Sequence, residues 1–333
     1  MIYLYLFNNA SILSQSAESR DKKDSMRLNE LMKRPFMREE KNALSFNAQY
    51  TLYHTLFTYF FIDGNLGRQY QYAKKANALY DAHPEKIKHN PQQYLYSLHN
   101  LTNTCNDLKE YEEAKTYIDK LHANASLMIS EREKAWAFFT YHDNLCGYFL
   151  NTGKFEEGKI AAEKLLKELE ETKLRLDQMH IFLLLFDSAK IFLGAGELKK
   201  SLACMNRIRT ETDLLNTRAD LQASVQVFYL LLHYEKGNID LLESLVKSEQ
   251  RALAEMRLPY RFSSVMLEFF GKKIQKAESK KEIREEFISL KKQLLALEKD
   301  KQEKIPMEDF DYLSWAESKI ENKPFAEIVQ KKS

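Results

Sequence analysis

The chain has 333 residues, 44% hydrophobic and 29% charged, which is enough apolar material for a sizeable core and excludes a wholly disordered, collagen-like or mucin-like polypeptide. Lys and Arg number 50 against 48 Asp and Glu, so the formal charge of +2 supplies no global pull toward nucleic acid or an anionic membrane. With only 9 Gly and 6 Pro, the chain lacks the turns of a β-sandwich and the glycine-rich switch points of many α/β enzymes, and composition leans all-α.

The opening MIYLYLFNNASILSQS lacks the basic start and sustained apolar stretch of a cleaved export signal, so none is expected. Residues 18 to 41 are strongly charged around Met26, Leu28, Leu31 and Met32 and predict a short helix stopped before Pro35. From about Leu44 apolar residues recur at helical spacing. NALSFNAQYTLYHTLFTYFFIDGN predicts one helix ending at Asp63-Gly64-Asn65, and RQYQYAKKANALYDAHP the next, ended by Pro84. The stretch from Pro84 to Pro91 is the longest early interruption.

The second helices of five successive pairs align on Ala73, Ala114, Gly158, Ser201 and Leu242, separated by 41, 44, 43 and 41 residues. A near-constant period of that size, filled by helix pairs, marks a stacked helical repeat. Three residues beyond the anchors stand Ala76, Tyr117, Ala161, Cys204 and Leu245; seven beyond stand Tyr80, Leu121, Leu165, Ile208 and Glu249, of which only Glu249 breaks the apolar stripe. The turns at Gly153, Gly194 to Gly196 and Gly237 place glycine where a helix ends in a left-handed residue, whereas Asp107-Leu108-Lys109 makes the same join without one.

In TGKFEEGKIAAEKL, the residues Gly153, Phe155 and Gly158 follow the order glycine, aromatic, small; Tyr111 and Ala114 do so with Lys109 in the glycine position, and Gly196, Leu198 and Ser201 more loosely. On these residues the stretch from 44 to 255 resembles tetratricopeptide repeats, although that family's 34-residue unit is shorter. The resemblance implies an all-α, right-handed superhelix of stacked antiparallel helix pairs, an α-solenoid whose first helices line the concave face. Long-helix variants of that superhelix occur in bacterial regulatory proteins, including peptide-sensing ones. The segments NPQQYLYSLHNL and FDYLSWAESKIENKPFAEIV are also similar to other bacterial repeat proteins. The organisation expected is a flanking helical segment at 1–43, about five long helical pairs at 44–255, and a helical cap at 256–333.

Within that last region, Arg257 to Phe270 predicts a helix after Pro259, and residues 272 to 304 carry a local excess of basic residues. Ile283, Phe287, Leu290, Leu294 and Leu297 nevertheless step by 4, 3, 4 and 3, an amphipathic stripe that a bare electrostatic arm does not need. The reading is a capping helix with a solvated basic back, then a last short helix carrying Tyr312, Trp315 and Ile320.

No apolar run approaches the length of a membrane span; the longest candidate, Ile181 to Phe186, suits a buried helix. Cys105, Cys146 and Cys204 are too widely spaced for a disulfide framework or a thiolate metal site and fit a reducing, cytoplasmic compartment. His142, Cys146 and His99 fall short of a zinc ligand set, and no phosphate-loop, nucleophile-elbow or zincin motif occurs. No metal, no cofactor and no catalytic residues are therefore expected.

The first helices YLYSLHNLTNTCN and AFFTYHDNLCGYF align at an offset of 44, setting Asn100 against Asn144. Asn103 lies a turn beyond Asn100, His99 and His142 stand close to the aligned asparagines, and Tyr96 and Tyr141 lie on nearby turns. Asparagine offers both donor and acceptor to a peptide backbone, so Tyr96, His99, Asn100, Asn103, Tyr141, His142 and Asn144 form the candidate partner-binding set, with helix bridging as the competing role. The function expected is a non-catalytic scaffold or sensor module that binds a protein or peptide, with nucleic acid and membrane not expected as partners. The alternatives are an enzyme whose site is assembled between repeats, and a nucleic-acid-associated regulator using Lys272, Lys273, Lys276, Lys280, Lys281 and Arg284.

Overall fold

A computed structural model describes residues 30, 32–33, 37, 39–211, 219–254 and 260–333. The readings of the N-terminal opening, of most of the 18–41 helix and of Pro259 lie outside the described residues. Every regular element among the described residues is helical, and no helix among them is long and apolar enough to cross a membrane. The chain divides into two compact units, Met1–Tyr148 and Phe149–Ser333.

Unit 1 holds α1 (Phe46–Asp63), α2 (Leu66–Ala82), a short α3 (Glu85–His89), α4 (Pro91–Asp107) and α5 (Tyr111–Asn124), followed by α6 (Glu131–Thr152), which runs on past the unit boundary. The interruption expected between Pro84 and Pro91 thus contains a helical turn of its own. Ser45 starts α1 by accepting the Ala48 amide at 3.3 Å, and Asn65 and Asn90 cap α2 and α4 in the same way. α1 packs on α2, α2 on α4, and α4 on α5. Tyr50, Tyr80 and Tyr94 meet edge-on or tilted in the core between them, with Leu95, Leu98, Leu101 and Cys105 behind.

Unit 2 holds α7 (Phe155–Glu171), α8 (Gln178–Gly194), α9 (Leu198–Glu211), α10 (Ala219–Glu235), α11 (Ile239–Ala254) and α12 (Arg261–Glu268). α12 runs into a π-helical turn, Phe269–Lys273, and is followed by α13 (Lys280–Leu297), α14 (Tyr312–Glu321) and α15 (Phe325–Lys332). Sequential neighbours from α7 to α11 pack on one another.

The turns close alike in both units. Asn65, Glu110, Glu197 and Asn238 each donate their amide to the carbonyl five residues back, and the preceding residue is left-handed in all four: Gly64, Lys109, Gly196 and Gly237. Lys109 stands at φ 62°, so the glycine-free join adopts the same geometry as the others with a side chain in place.

All five anchors are buried, and so are all five residues seven beyond them. Glu249, the expected exception, is buried too, because Arg209 of α9 donates to its carboxylate at 3.0 Å while lying over the Tyr229 ring. The residues three beyond are less uniform, with Ala161 and Leu245 only half-buried. The position four beyond is buried every time, as Asn77, Ile118, Ala162, Met205 and Val246. At about 100° per residue, positions zero, three and seven and positions zero, four and seven each span about 60°, leaning to opposite sides of the anchor, so the constant burial at four beyond leans the seam toward Ala162 rather than Ala161. Gly158 is required at its anchor: a Cβ there would come within 2.9 Å of Phe149 and 3.1 Å of Ile191.

The predicted stripe of α13 is the buried one, with Phe287, Leu290, Leu294 and Leu297 inside and Ile283 half-buried. α13 lies on α14, whose Trp315 packs among Phe269, Phe270 and Phe287. A buried Glu303 caps α12 by accepting the amides of Arg261 at 3.0 Å and Phe262 at 2.8 Å.

Candidate functional site

The first helices of the two units differ in what meets their surfaces. In unit 2, α8 is buried at Leu184–Phe186 and again at Ser188–Leu193, and α10 is buried at Ala223–Phe228. The C-terminal segment lies against α10: the Phe310 ring is 5.1 Å from Phe228, and Ser224 donates to the Pro306 carbonyl at 3.3 Å and to the Asp309 carboxylate. Trp315 Nε1 donates to Glu235 at 2.6 Å. Farther on, Phe325 stacks on Phe155 at 5.4 Å, and Gln330 Nε2 donates to the Gly153 carbonyl at 2.9 Å. The region expected to cap the end of the array thus folds back across unit 2 as far as the turn before α7, and the surface of α10 is already covered.

In unit 1, α1 and α4 carry no Lys or Arg, and their single acidic residues, Asp63 and Asp107, are the last residue of each helix. Polar side chains bridge these helices instead. The Asn100 amide is hydrogen-bonded to His54 Nε2 at 3.3 Å, and Asn144 Nδ2 lies 2.7 Å from His99 Nδ1. The other nitrogen of His99, Nε2, is 3.2 Å from Asn103 Nδ2. Tyr96, His99 and Asn103 occur at i, i+3 and i+7 and share one face of α4. Trp136 of α6 joins them, its ring 4.1 Å from that of Tyr96 and edge-on to His99 at 6.5 Å. Tyr96 is 40% exposed, Asn103 is exposed, and Trp136, His99 and Asn100 are half-buried.

The charge state of this strip follows from its surroundings. Loss of water pulls the imidazole of His54 down to about 4, and pulls that of His99 to about 4 against the opposing effect of its Asn144 hydrogen bond. Both rings are neutral at pH 7, so each carries one N–H. Asn144 Nδ2 also donates to the Thr140 carbonyl at 2.6 Å, which fixes which end of that amide is nitrogen. It therefore donates to His99 Nδ1, the proton of His99 resides on Nε2, and Asn103 must turn its oxygen to that N–H. The NH₂ of exposed Asn103 is then directed away from His99.

The second helices are different. On α2 and α5, Lys74, Tyr70 and Tyr117 all hydrogen-bond Glu113. Burial works to raise the Glu113 pKa, but those three donors outweigh it and hold the carboxylate below its usual range. Charge thus lies on the second helices of unit 1 and at the start of α6, where Glu131, Arg132, Glu133 and Lys134 precede Trp136, while Tyr96, His99 and Asn103 of α4 carry none.

Of the candidate residues, the structure brings Tyr96, His99, Asn100, Asn103 and Asn144 together, with Asn100, Asn144 and His99 engaged in helix bridging. Tyr141 and His142 stand apart: Tyr141 packs its ring on His122 of α5 at 4.4 Å, and the buried His142 lies 4.5 Å from Phe138. His142 is two residues from Asn144, close to the opposite side of the helix. Trp136 escaped the sequence reading because it precedes the aligned asparagines by two turns; that it is one of only 2 Trp was the available signal.

No group of three or more His, Cys, Asp or Glu is placed to hold a metal among the described residues. Burial pushes the Cys105 thiol up to about 12 and that of Cys204 up to about 11, leaving both protonated and inert. The basic C-terminal residues are spread over the π-helical turn and the start of α13, where Lys273 faces Glu268 at 3.8 Å, Lys281 faces Glu285 at 3.9 Å, and Arg284 donates to the Ile320 carbonyl at 2.9 Å. No protein-family model matches the chain, and no curated protein matches it.

Proposed function

We propose that the chain is a non-catalytic helical-repeat scaffold, similar in form to the long-helix tetratricopeptide superhelix, that binds a protein or peptide partner in the cytoplasm. The observation that carries this reading is the strip on α4 and α6, where an exposed Tyr96 ring on Trp136 lies beside the Asn103 amide, on a face of α4 that carries no charged side chain. Aromatic surface next to fixed amide groups is the chemistry of a peptide contact, because the rings contribute buried area and the amides pair with main-chain groups. Unit 2 offers no such face on α10, where the chain's own C-terminal segment is seated.

Capture from a lysate of the source cell on the immobilised protein, followed by mass spectrometry, tests the proposal when run beside a variant carrying Tyr96→Ala and Asn103→Asp. Partners held by the parent and lost by the folded variant support the strip. An identical set from both removes it. A reproducible small-molecule turnover abolished by one polar substitution would place the protein among the enzymes instead.

A further inference from the structure

The ligand chemistry of the strip can be narrowed from its spacing and charge, an inference that rests on the partner-binding reading above. Tyr96 and Asn103 are seven residues apart on one face of α4, which at 1.5 Å per residue sets the ring and the amide about 10 Å apart along the helix. A polyproline II segment repeats every three residues with a rise of about 3.1 Å each, so equivalent groups recur at about 9 Å. That conformer has no internal hydrogen bonds, and its carbonyls are left to accept from outside. The strip supplies the matching halves: a ring face at Tyr96, backed by Trp136 at 4.1 Å, and the NH₂ of Asn103, which is directed outward once that amide turns its oxygen to the Nε2 proton that Asn144 imposes on His99.

Charge points the same way. With no Lys or Arg on α1 or α4, with Asp63 and Asp107 at the helix ends, with His99 and His54 engaged by asparagines, and with Glu131, Arg132, Glu133 and Lys134 at the start of α6 summing to zero charge, the strip offers no net field to a charged side chain. A partner helix docking here would need apolar receptors at three or four successive turns, whereas the turn after Tyr96 presents His99 and the next presents Asn103. A proline-bearing extended chain fits better, because a pyrrolidine lies flat on an aromatic ring and its ordering cost is already low.

We propose that the Tyr96–Trp136–Asn103 strip binds an uncharged, proline-rich segment in the polyproline II conformation, a proline ring resting on Tyr96 and a carbonyl one turn along accepting from the Asn103 amide. The test uses the full chain and two libraries of end-blocked decapeptides, one with a fixed Pro-x-x-Pro core and one with Ala at those two places, both with neutral residues elsewhere. Binding is read by calorimetry and by the emission of Trp136, Trp315 being fully buried.

The proline library is expected to bind about tenfold more tightly, with affinity unchanged between about 0.05 and 0.5 M salt. Asn103→Asp keeps the oxygen for His99 while removing the donors, and is expected to weaken binding about fivefold or more, as is Tyr96→Ala; Tyr96→Phe is expected to keep it. Equal affinity for the two libraries, still lost in Tyr96→Ala, overturns the proline assignment and leaves the peptide-binding strip standing. Binding of neither library, or binding that Tyr96→Ala and Asn103→Asp leave untouched, overturns the proposal and the strip with it.

Discussion

The bridged histidines of unit 1 make acid a graded perturbant of that unit. His54 and His99 titrate at about 4 in the fold against an ordinary value of 6.5. A folded pKa below the unfolded one means that the unfolded chain binds the proton first. The stability is therefore whole above pH 6.5 and is lost as pH falls from there toward 4. Between those limits each ring costs about 1.4 kcal/mol per pH unit, or about 3 kcal/mol by the bottom of the window.

The perturbation is His99→Gln, which keeps a neutral side chain able to accept from Asn144 and removes one titration. Urea melts from pH 7 to pH 4.5, followed by the emission of Trp136, read unit 1. At pH 7 the variant is expected to lose about 1 to 2 kcal/mol through poorer hydrogen-bond geometry. Below pH 6.5 its stability should fall less steeply than the parent's, by about 1.4 kcal/mol per pH unit. The contributions of His180 and His233, whose imidazoles burial also pulls below the ordinary value, drop out of the difference between the two proteins. Parallel pH profiles for parent and variant would refute the reasoning, since they would show that the His99 proton is taken up equally by the folded and unfolded chains.

Four further substitutions test the packing, a turn and a cap. Ala162→Arg is expected to cost about 3 to 5 kcal/mol in urea unfolding, and Ala161→Arg less than about 1 kcal/mol, because only the first drives a charge into a filled seam. Lys109→Gly should raise the urea midpoint by the equivalent of about 0.5 to 1 kcal/mol, relieving the left-handed strain at φ 62°. Glu303→Ala leaves the Arg261 and Phe262 amides without their buried cap and should cost about 2 to 3 kcal/mol, read from Trp315 emission in unit 2.

What was legible in the sequence was what depends on local chemistry. The anchors and the glycine turns could be read because a helix period and a left-handed cap are set within a few residues, and Lys109 at the glycine position of its turn is the clearest case. The choice between Ala161 and Ala162 was not legible, since a shift of one residue moves the seam by a fraction of a turn and both side chains are the same. The seat of the C-terminal segment depends on contacts such as Ser224 with Asp309 and Gln330 with Gly153, separated by 85 and 177 residues, which leave no periodic trace. At the candidate site, the alignment of Asn100 with Asn144 picked out two amides that both bridge to a neighbouring helix. It did not reveal that His54 and His99, 46 and 45 residues from their asparagines, are the groups those amides bridge. Placing His142 with them failed on rotation around the helix axis, which sequence proximity conceals.

The contrast between the units explains why an open face is tolerable in one and not in the other. A helix whose Phe and Leu side chains face several directions, such as α8 or the buried run of α10, must be covered, since leaving one of them in water forgoes about 1.5 to 3 kcal/mol. Unit 2 meets that demand at α10 with the chain's own Pro306 to Phe310 stretch, and any partner at that face would have to displace Phe310 from Phe228. The first helices of unit 1 carry His54, His99, Asn100 and Asn144 where continuous apolar surface would otherwise need a cover, and these groups satisfy one another across helices rather than calling for more chain. The arrangement costs stability below pH 6.5, as the histidine titration makes measurable, but it leaves Tyr96 and Asn103 exposed on a backing fixed by hydrogen bonds at both nitrogens of His99. A rigid, neutral, partly aromatic face that needs no cover of its own can remain open between encounters, and little ordering is left to oppose binding when a ligand arrives.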